Sequence, residues 1–218
     1  MIRLLVVNEN AVVAIGDVHG CYCKLMTVLS AFFDTGCELI FLGDLIDRSP
    51  EENGDIKVLN QVFQMQRSPG RFGVSRVTVL RGNHEQMFLD AKRTGDLKAS
   101  LRWVLNGGDP RLLSDLSQDL VAWLDDLPFY AVREDHLFVH AGVRPGIPLE
   151  KQRHVDLMWI RQPFLSQDHG LAYKVIHGHT IEDWEHFSIV EKPWRIGIDT
   201  GAFAGGPLST YIMQRNSF

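Results

Sequence analysis

The 218-residue chain carries 22 basic against 27 acidic side chains, a formal net charge of −5, and 45% of it is hydrophobic. That composition suits a globular chain able to bury a substantial core, read as a single domain over residues 1–218, without disulfide or metal staples. The acidic balance excludes nonspecific nucleic-acid binding, which needs a basic face, so any phosphate site must bring its own local cations.

Three cysteines, Cys21, Cys23 and Cys37, give no disulfide framework and point to a reducing compartment. Cys21-x-Cys23 has no second pair and reads as small apolar residues on a helix. Met1–Val7 is apolar but is cut short by Asn8-Glu9-Asn10, unlike a signal peptide. No run reaches about 18 apolar residues, so no membrane span is expected. The cytoplasm is the expected location. No long hydrophobic stripe announces an oligomer, and a monomer is expected.

In chain order, Ala11–Ile15 predicts a strand and Gly16–Gly20 a turn. Cys21–Phe33 predicts a helix with Leu25, Val28, Leu29 and Phe32 on one face. Glu38–Leu42 is a second strand, ending in glycine and aspartate. Ile56–Met65 has Val58, Leu59, Val62 and Phe63 at helical spacing. Arg76–Leu80 is a third strand, followed by a helix from Glu85 to Lys92. Leu97–Leu105 and Ser114–Leu124 predict helices. His136–Val139 and Tyr173–Ile176 predict strands, and Phe187–Val190, Arg195–Ile198 and Leu208–Met213 more sheet. Strand–helix alternation followed by a strand-rich half implies an α/β sandwich of mixed sheets.

Asp17, Asp44, Asn83, His140 and His179 each fall at or just beyond the end of an apolar strand. In open α/β folds, sites form outside the carboxyl ends of strands. In Gly16-Asp17-Val18-His19-Gly20 an extended backbone would put Asp17 and His19 on one side, with Val18 in the core. Gly43-Asp44-Leu45-Ile46-Asp47-Arg48 gathers two carboxylates and an arginine. In Gly82-Asn83-His84-Glu85, Asn83 offers a neutral carbonyl ligand while His84 points elsewhere. Each motif alone also fits a bland role: a capping aspartate, an ion-paired turn, a helix start, a satisfied structural histidine. Mixed oxygen and imidazole ligands without cysteine suit Mn²⁺, iron or Zn²⁺ rather than Ca²⁺.

Taken together, Gly-Asp-Val-His-Gly, Gly-Asp-Leu-Ile-Asp-Arg, Arg-Gly-Asn-His-Glu, His-Ala-Gly and Gly-His-Thr, in this order, resemble the phosphoprotein phosphatases of the calcineurin-like metallophosphoesterase superfamily. Gly20-Cys21-Tyr22, Arg81–Met87, Trp103–Gly108 and Ile198-Asp199-Thr200-Gly201 are similar to the bacterial and phage branch, of lambda type. The resemblance runs from about residue 11 to the C-terminus. It implies a four-layer α/β/β/α sandwich of two mixed β-sheets flanked by helices. It implies Asp17, His19 and Asp44 as ligands of one metal, with Asp44 bridging to a second held by Asn83, His140 and His179. The pair would be Mn²⁺, or Fe/Zn or Fe/Mn. Asp47 and His84 match the family's catalytic pair, and Arg48 and Arg161 its phosphate-binding arginines.

Two cations about 3.5–4 Å apart neutralise a phosphoryl group and lower the pKa of a bridging water, whose hydroxide attacks phosphorus in line. Arg48 and Arg161 would grip phosphate oxygens, joined by the Asn83 amide. His84 would protonate the leaving oxygen, steadied by Asp47. The expected substrate is a phosphoserine, phosphothreonine or phosphotyrosine protein or peptide. The alternative is a symmetrical diadenosine tetraphosphate hydrolase, or another small phosphoester hydrolase of the superfamily. The dinucleotide branch typically has aspartate where Glu85 stands, and a longer chain. Glu85 is expected to belong to the helix start rather than act as a base, and His177 to support the site rather than bind metal. Two departures stand out: Ser49-Pro50 where the family has glycine after the arginine, and Ile181-Glu182-Asp183-Trp184 where a proline is common. The acidic residues of the second, if beside the mouth, would disfavour very acidic substrates.

Overall fold

The computed structural model describes residues 7–215; the apolar start Met1–Val6 lies outside the described residues. The elements run β1 (Ala11–Ile15), α1 (Tyr22–Ser30), β2 (Glu38–Phe41), α2 (Gly54–Arg67), β3 (Arg76–Val79), α3 (Asn83–Thr94), α4 (Leu97–Leu105), α5 (Leu112–Asp115), α6 (Gln118–Asp125), β4 (Tyr130–Arg133), β5 (His136–Val139), α7 (His154–Trp159), β6 (Lys174–His177), β7 (Val190–Lys192), β8 (Arg195–Gly197) and β9 (Thr210–Gln214).

They build two mixed sheets. The first has the order β3-β2-β1-β9, with β1, β2 and β3 parallel and β9 antiparallel to β1. The second has the order β4-β5-β6-β8-β7, with β5, β6 and β8 parallel and the outer strands antiparallel. Period-two alternation divides the strand side chains between layers. Val13, Ile15, Leu39, Phe41, Val77 and Val79 pack outward with Leu25, Leu29, Val58, Val62 and Phe88 of the helices. Val12, Ala14, Ile40, Leu42 and Leu80 face Phe138, Ile176, Ile196 and Ile198 between the sheets. Leu137, Val139 and Val175 pack against Leu157, Ile160 and Phe164 on the far side. Three apolar layers between sheets and helices are the sandwich that the resemblance implies.

The differences from expectation are local. The predicted helix over Ser114–Leu124 is two, because Leu116 turns extended (ψ 127°) and Ser117 starts a new helix by accepting the Leu120 N–H. The helix expected over Cys21–Phe33 is shorter, Tyr22–Ser30. Strand β7 begins where Phe187–Val190 was expected to end. β4 and α7 are additions. Leu97, Leu101 and Leu105 of α4 are exposed, since Trp103 is the residue that helix buries. Among the described residues no helix is long and apolar enough to cross a membrane.

Candidate active site

The parallel strands of both sheets point their carboxyl ends at one place. The turns after β1, β2 and β3 deliver Asp17 and His19, Asp44 through Arg48, and Asn83 with His84. Those after β5, β6 and β8 deliver His140, His179 and Asp199. All except the exposed Arg48 are buried. Five of the nine non-glycine residues with positive φ among those described lie in these turns: His19 (46°), Asp44 (50°), Asp47 (71°), Arg48 (59°) and His179 (66°). Backbone in this region costs of order 1–3 kcal/mol per residue, so here surrounding structure enforces it.

Asp44 is the centre. Ligand atoms of His19, Asp44 and His84 lie within 4.8 Å of one another, and so do those of Asp44, His140 and His179. One carboxylate is thus shared by two potential metal positions. His19 is not brought in by extended backbone as the sequence suggested. Its chain turns at positive φ, its N–H and that of Val18 reach the Asp44 carbonyl, and its Nδ1 meets the Ile46 carbonyl at 2.9 Å. That leaves Nε2 3.6 Å from Asp44 Oδ2. Asp17 stands beside the triads, its carboxylate accepting the His179 N–H at 3.0 and 3.2 Å. A Cβ on Gly178 would sit 1.9 Å from Asp17 Oδ1, so glycine is needed for this approach.

The donor set has the chemistry of a cation site. His140 gives its Nδ1 proton to the Leu42 carbonyl at 3.0 Å, so in the neutral ring Nε2 is a bare lone pair. That lone pair lies 2.8 Å from Asn83 Oδ1, which is itself an acceptor and lies 2.8 Å from His179 Nδ1. A cation placed among these atoms would satisfy the His140 lone pair and the Asn83 oxygen together. His179 Nε2 is buried without a partner. Burial holds the His19 and His179 rings well below the usual range and pushes His140 down to about 4. Burial pushes the Asp17 carboxyl well up and that of Asp44 up to about 6. Neutral imidazoles and crowded carboxylates, without a thiolate, fit a pair of oxygen- and nitrogen-seeking metal ions.

Beside this centre His84 Nδ1 and Asp47 Oδ2 are 2.7 Å apart, both buried, and His84 Nε2 lies 3.9 Å from Asp44 Oδ2. The His84 N–H donates to Asp44 Oδ1 at 3.0 Å. The Arg48 guanidinium reaches to 3.4 Å from His19 Nε2 and lies over the Phe203 ring. Arg161 is exposed, and its charge adds to burial in lowering His140 and His179.

The structure gives the supporting residues their contacts, among them Glu85 and His177, which the sequence already marks as supports. Glu85 accepts N–H groups from Gly82, Asp44 and Leu45 at 2.9, 2.9 and 2.7 Å, tying the Asp44 turn to the start of α3. Asp199, quoted in the sequence only as part of a motif, is buried in the site, and burial pushes it up to about 6. Trp103 donates its indole N–H to Asp47. His177 gives Nδ1 to the Gly178 carbonyl and receives Arg195 at 3.2 Å on Nε2, so it props the His179 turn from behind.

Both departures from the family pattern have a physical account. Ser49 Oγ lies 3.0 Å from the carbonyls of Gly20 and Glu51, joining the Arg48 loop to the Asp17–His19 turn. Glu182 pairs with the buried Arg195, and Asp183 accepts from His186 and Ser188 within its own turn.

The sequence profile of the calcineurin-like phosphoesterases matches residues 11–195. Serine/threonine-protein phosphatase 1 of Salmonella typhimurium (strain LT2) is 33% identical over 229 residues, covering 97% of this chain and 96% of that protein. The symmetrical bis(5'-nucleosyl)-tetraphosphatase of Janthinobacterium sp. (strain Marseille) is 32% identical over 134 residues, 61% of this chain and 43% of that protein. This chain therefore spans less than half the length of that relative. The crystal structure of a candidate diadenosine tetraphosphatase shares the fold, with a TM-score of 0.70 at 23% identity over 94% of this chain and 90% of that one. Profile, sandwich and shared-carboxylate centre agree: the chain belongs to the calcineurin-like phosphoesterase family and is a metallophosphoesterase.

Proposed function

We propose that this chain is a protein phosphatase that removes phosphate from phosphoserine and phosphothreonine. The observation that carries the substrate class is the extent of the likeness. The match to a serine/threonine phosphatase runs through 97% of this chain and 96% of that protein, while the dinucleotide hydrolase aligns over 61% and 43%.

In this reading Asp17, His19 and Asp44 hold one cation and Asp44, Asn83, His140 and His179 the other, as Mn²⁺ or an iron-containing pair. When bound, the two ions neutralise phosphoryl charge and activate the attacking water. The protein's own groups do the rest. Arg48 and Arg161 grip the remaining phosphate oxygens with charge-assisted hydrogen bonds that strengthen as charge builds. The Asn83 amide N–H donates to another while its carbonyl faces the metal. His84 gives a proton from Nε2 to the leaving seryl oxygen, and Asp47 at Nδ1 favours the imidazolium that can do so.

A second reading, hydrolysis of dinucleotide polyphosphates, is favoured by the fold likeness over 94% of the chain to the candidate diadenosine tetraphosphatase. Parallel assays of the Mn²⁺-loaded enzyme on a phosphoserine peptide and on diadenosine tetraphosphate decide between them. Preferential turnover of the peptide is expected; preferential cleavage of the dinucleotide would replace this reading with the second.

A further inference from the structure

The segment Trp103–Gly108 closes over the loop that carries Asp47 and Arg48, and it does so through polar contacts. The Gly107 carbonyl accepts the Arg48 backbone N–H at 2.9 Å, and the Asn106 carbonyl accepts Arg48 Nε–H at 3.2 Å. The Trp103 indole N–H lies 2.9 and 2.8 Å from the two Asp47 carboxylate oxygens. Among the described residues, the side-chain partners of that carboxylate are Trp103 and His84. Both Trp103 and Asp47 are fully buried. The indole is seated against Gly108, where a Cβ would meet the ring at 2.3 Å, and packs edge-on to Phe88, 5.5 Å away on the helix that begins beside His84.

A buried carboxylate needs donors. An arginine or lysine would supply them but would also neutralise the charge. An indole N–H is a neutral donor that neither titrates nor accepts. It fixes the carboxylate through both oxygens and adds no positive charge, so the carboxylate's own charge still acts on the imidazole at Oδ2.

We propose that Trp103 is a positioning residue for proton donation, its indole N–H holding the Asp47 carboxylate so that His84 presents Nε2 to the leaving oxygen. The proposal rests on the reading of His84 as the proton donor. It assigns to the interior of α4 a part in the reaction, at a distance from the phosphate itself.

The test uses the leaving group. A seryl phosphate must expel an alkoxide and needs the proton, whereas p-nitrophenyl phosphate expels a stable phenolate and barely does. Trp103→Phe should lower turnover of a phosphoserine peptide about tenfold, a fraction of the 10²–10⁴ typical of general acid catalysis. It should leave p-nitrophenyl phosphate turnover within about twofold and the Mn²⁺ content unchanged. Trp103→His removes more of the ring but puts an N–H at the matching ring position. It should recover most of the peptide turnover despite its poorer packing. Equal losses on both esters, or a Trp103→His variant no better than Trp103→Phe on the peptide, would overturn the proposal. His84→Asn tests the underlying reading separately. If that variant turns over the peptide as the parent does, His84 is not the donor, whatever Trp103 shows.

Discussion

The turns after β1, β2 and β3 and those after β5, β6 and β8 make the two halves of one site, but they are held in different ways. The first half is fixed through its own backbone. Glu85 gathers the N–H groups of Gly82, Asp44 and Leu45, His19 and Val18 bond the Asp44 carbonyl, and Ser49 closes the loop onto Gly20. Four of the five left-handed residues of the site are here. The second half offers fewer such anchors. His140 hangs from the Leu42 carbonyl and His179 from Asp17, both in the first half. Behind them sits a side-chain network in which Arg195, 1% exposed, joins Glu182, His177 and the Leu165 carbonyl. The first half is preorganised locally, whereas the second depends on the first and on a buried ion pair.

The largest expected effect separates chemistry from scaffolding within the first half. His84→Asn should keep both metal ions and lower turnover of a phosphoserine peptide about 10²- to 10⁴-fold, measured as kcat on the Mn²⁺-loaded enzyme. Next, Glu85→Gln removes the charge that collects three backbone donors. Metal affinity should fall about 10- to 100-fold, as for the partners that orient metal ligands elsewhere, and calorimetric titration with Mn²⁺ reads it. In the second half, Arg195→Met leaves Glu182 and His177 without their partner. Its main cost should be stability, about 3 kcal/mol in urea unfolding, with a smaller change in metal affinity than for Glu85→Gln. If Arg195→Met weakens metal binding as much as Glu85→Gln does, the contrast between the halves fails.

This contrast also explains what could be read from the sequence. In the first half, ligand, turn glycine and helix start are contiguous, so Asp17, His19, Asp44, Asp47, Arg48, Asn83 and His84 stand out in three short motifs. β1 has the expected bounds, and β2 and β3 end one residue earlier than expected. The supports of the second half come from positions far apart in the chain. Nothing beside Glu182 announces Arg195, and the acidic run Glu182-Asp183 is drawn into an ion pair and a local turn. Trp103 stands out in the sequence as the start of the Trp103–Gly108 motif, but its contact with Asp47 shows only in the fold. β4 and α7 escaped because they are short and carry little buried apolar surface: Ala131 in the one, Leu157 and Met158 in the other. Local patterns mark ligands at strand ends, while the polar groups that hold those ligands depend on chain crossings that no local pattern records.

The measurement closest to the central claim is metal stoichiometry, since one carboxylate is assigned to both positions. Calorimetric titration of the metal-stripped protein with Mn²⁺ should show two ions per chain. Asp44→Ala should abolish both, while His179→Ala should retain the one held by Asp17, His19 and Asp44. Uptake of a single ion by the parent protein, or two ions still bound by Asp44→Ala, would contradict the shared-carboxylate centre.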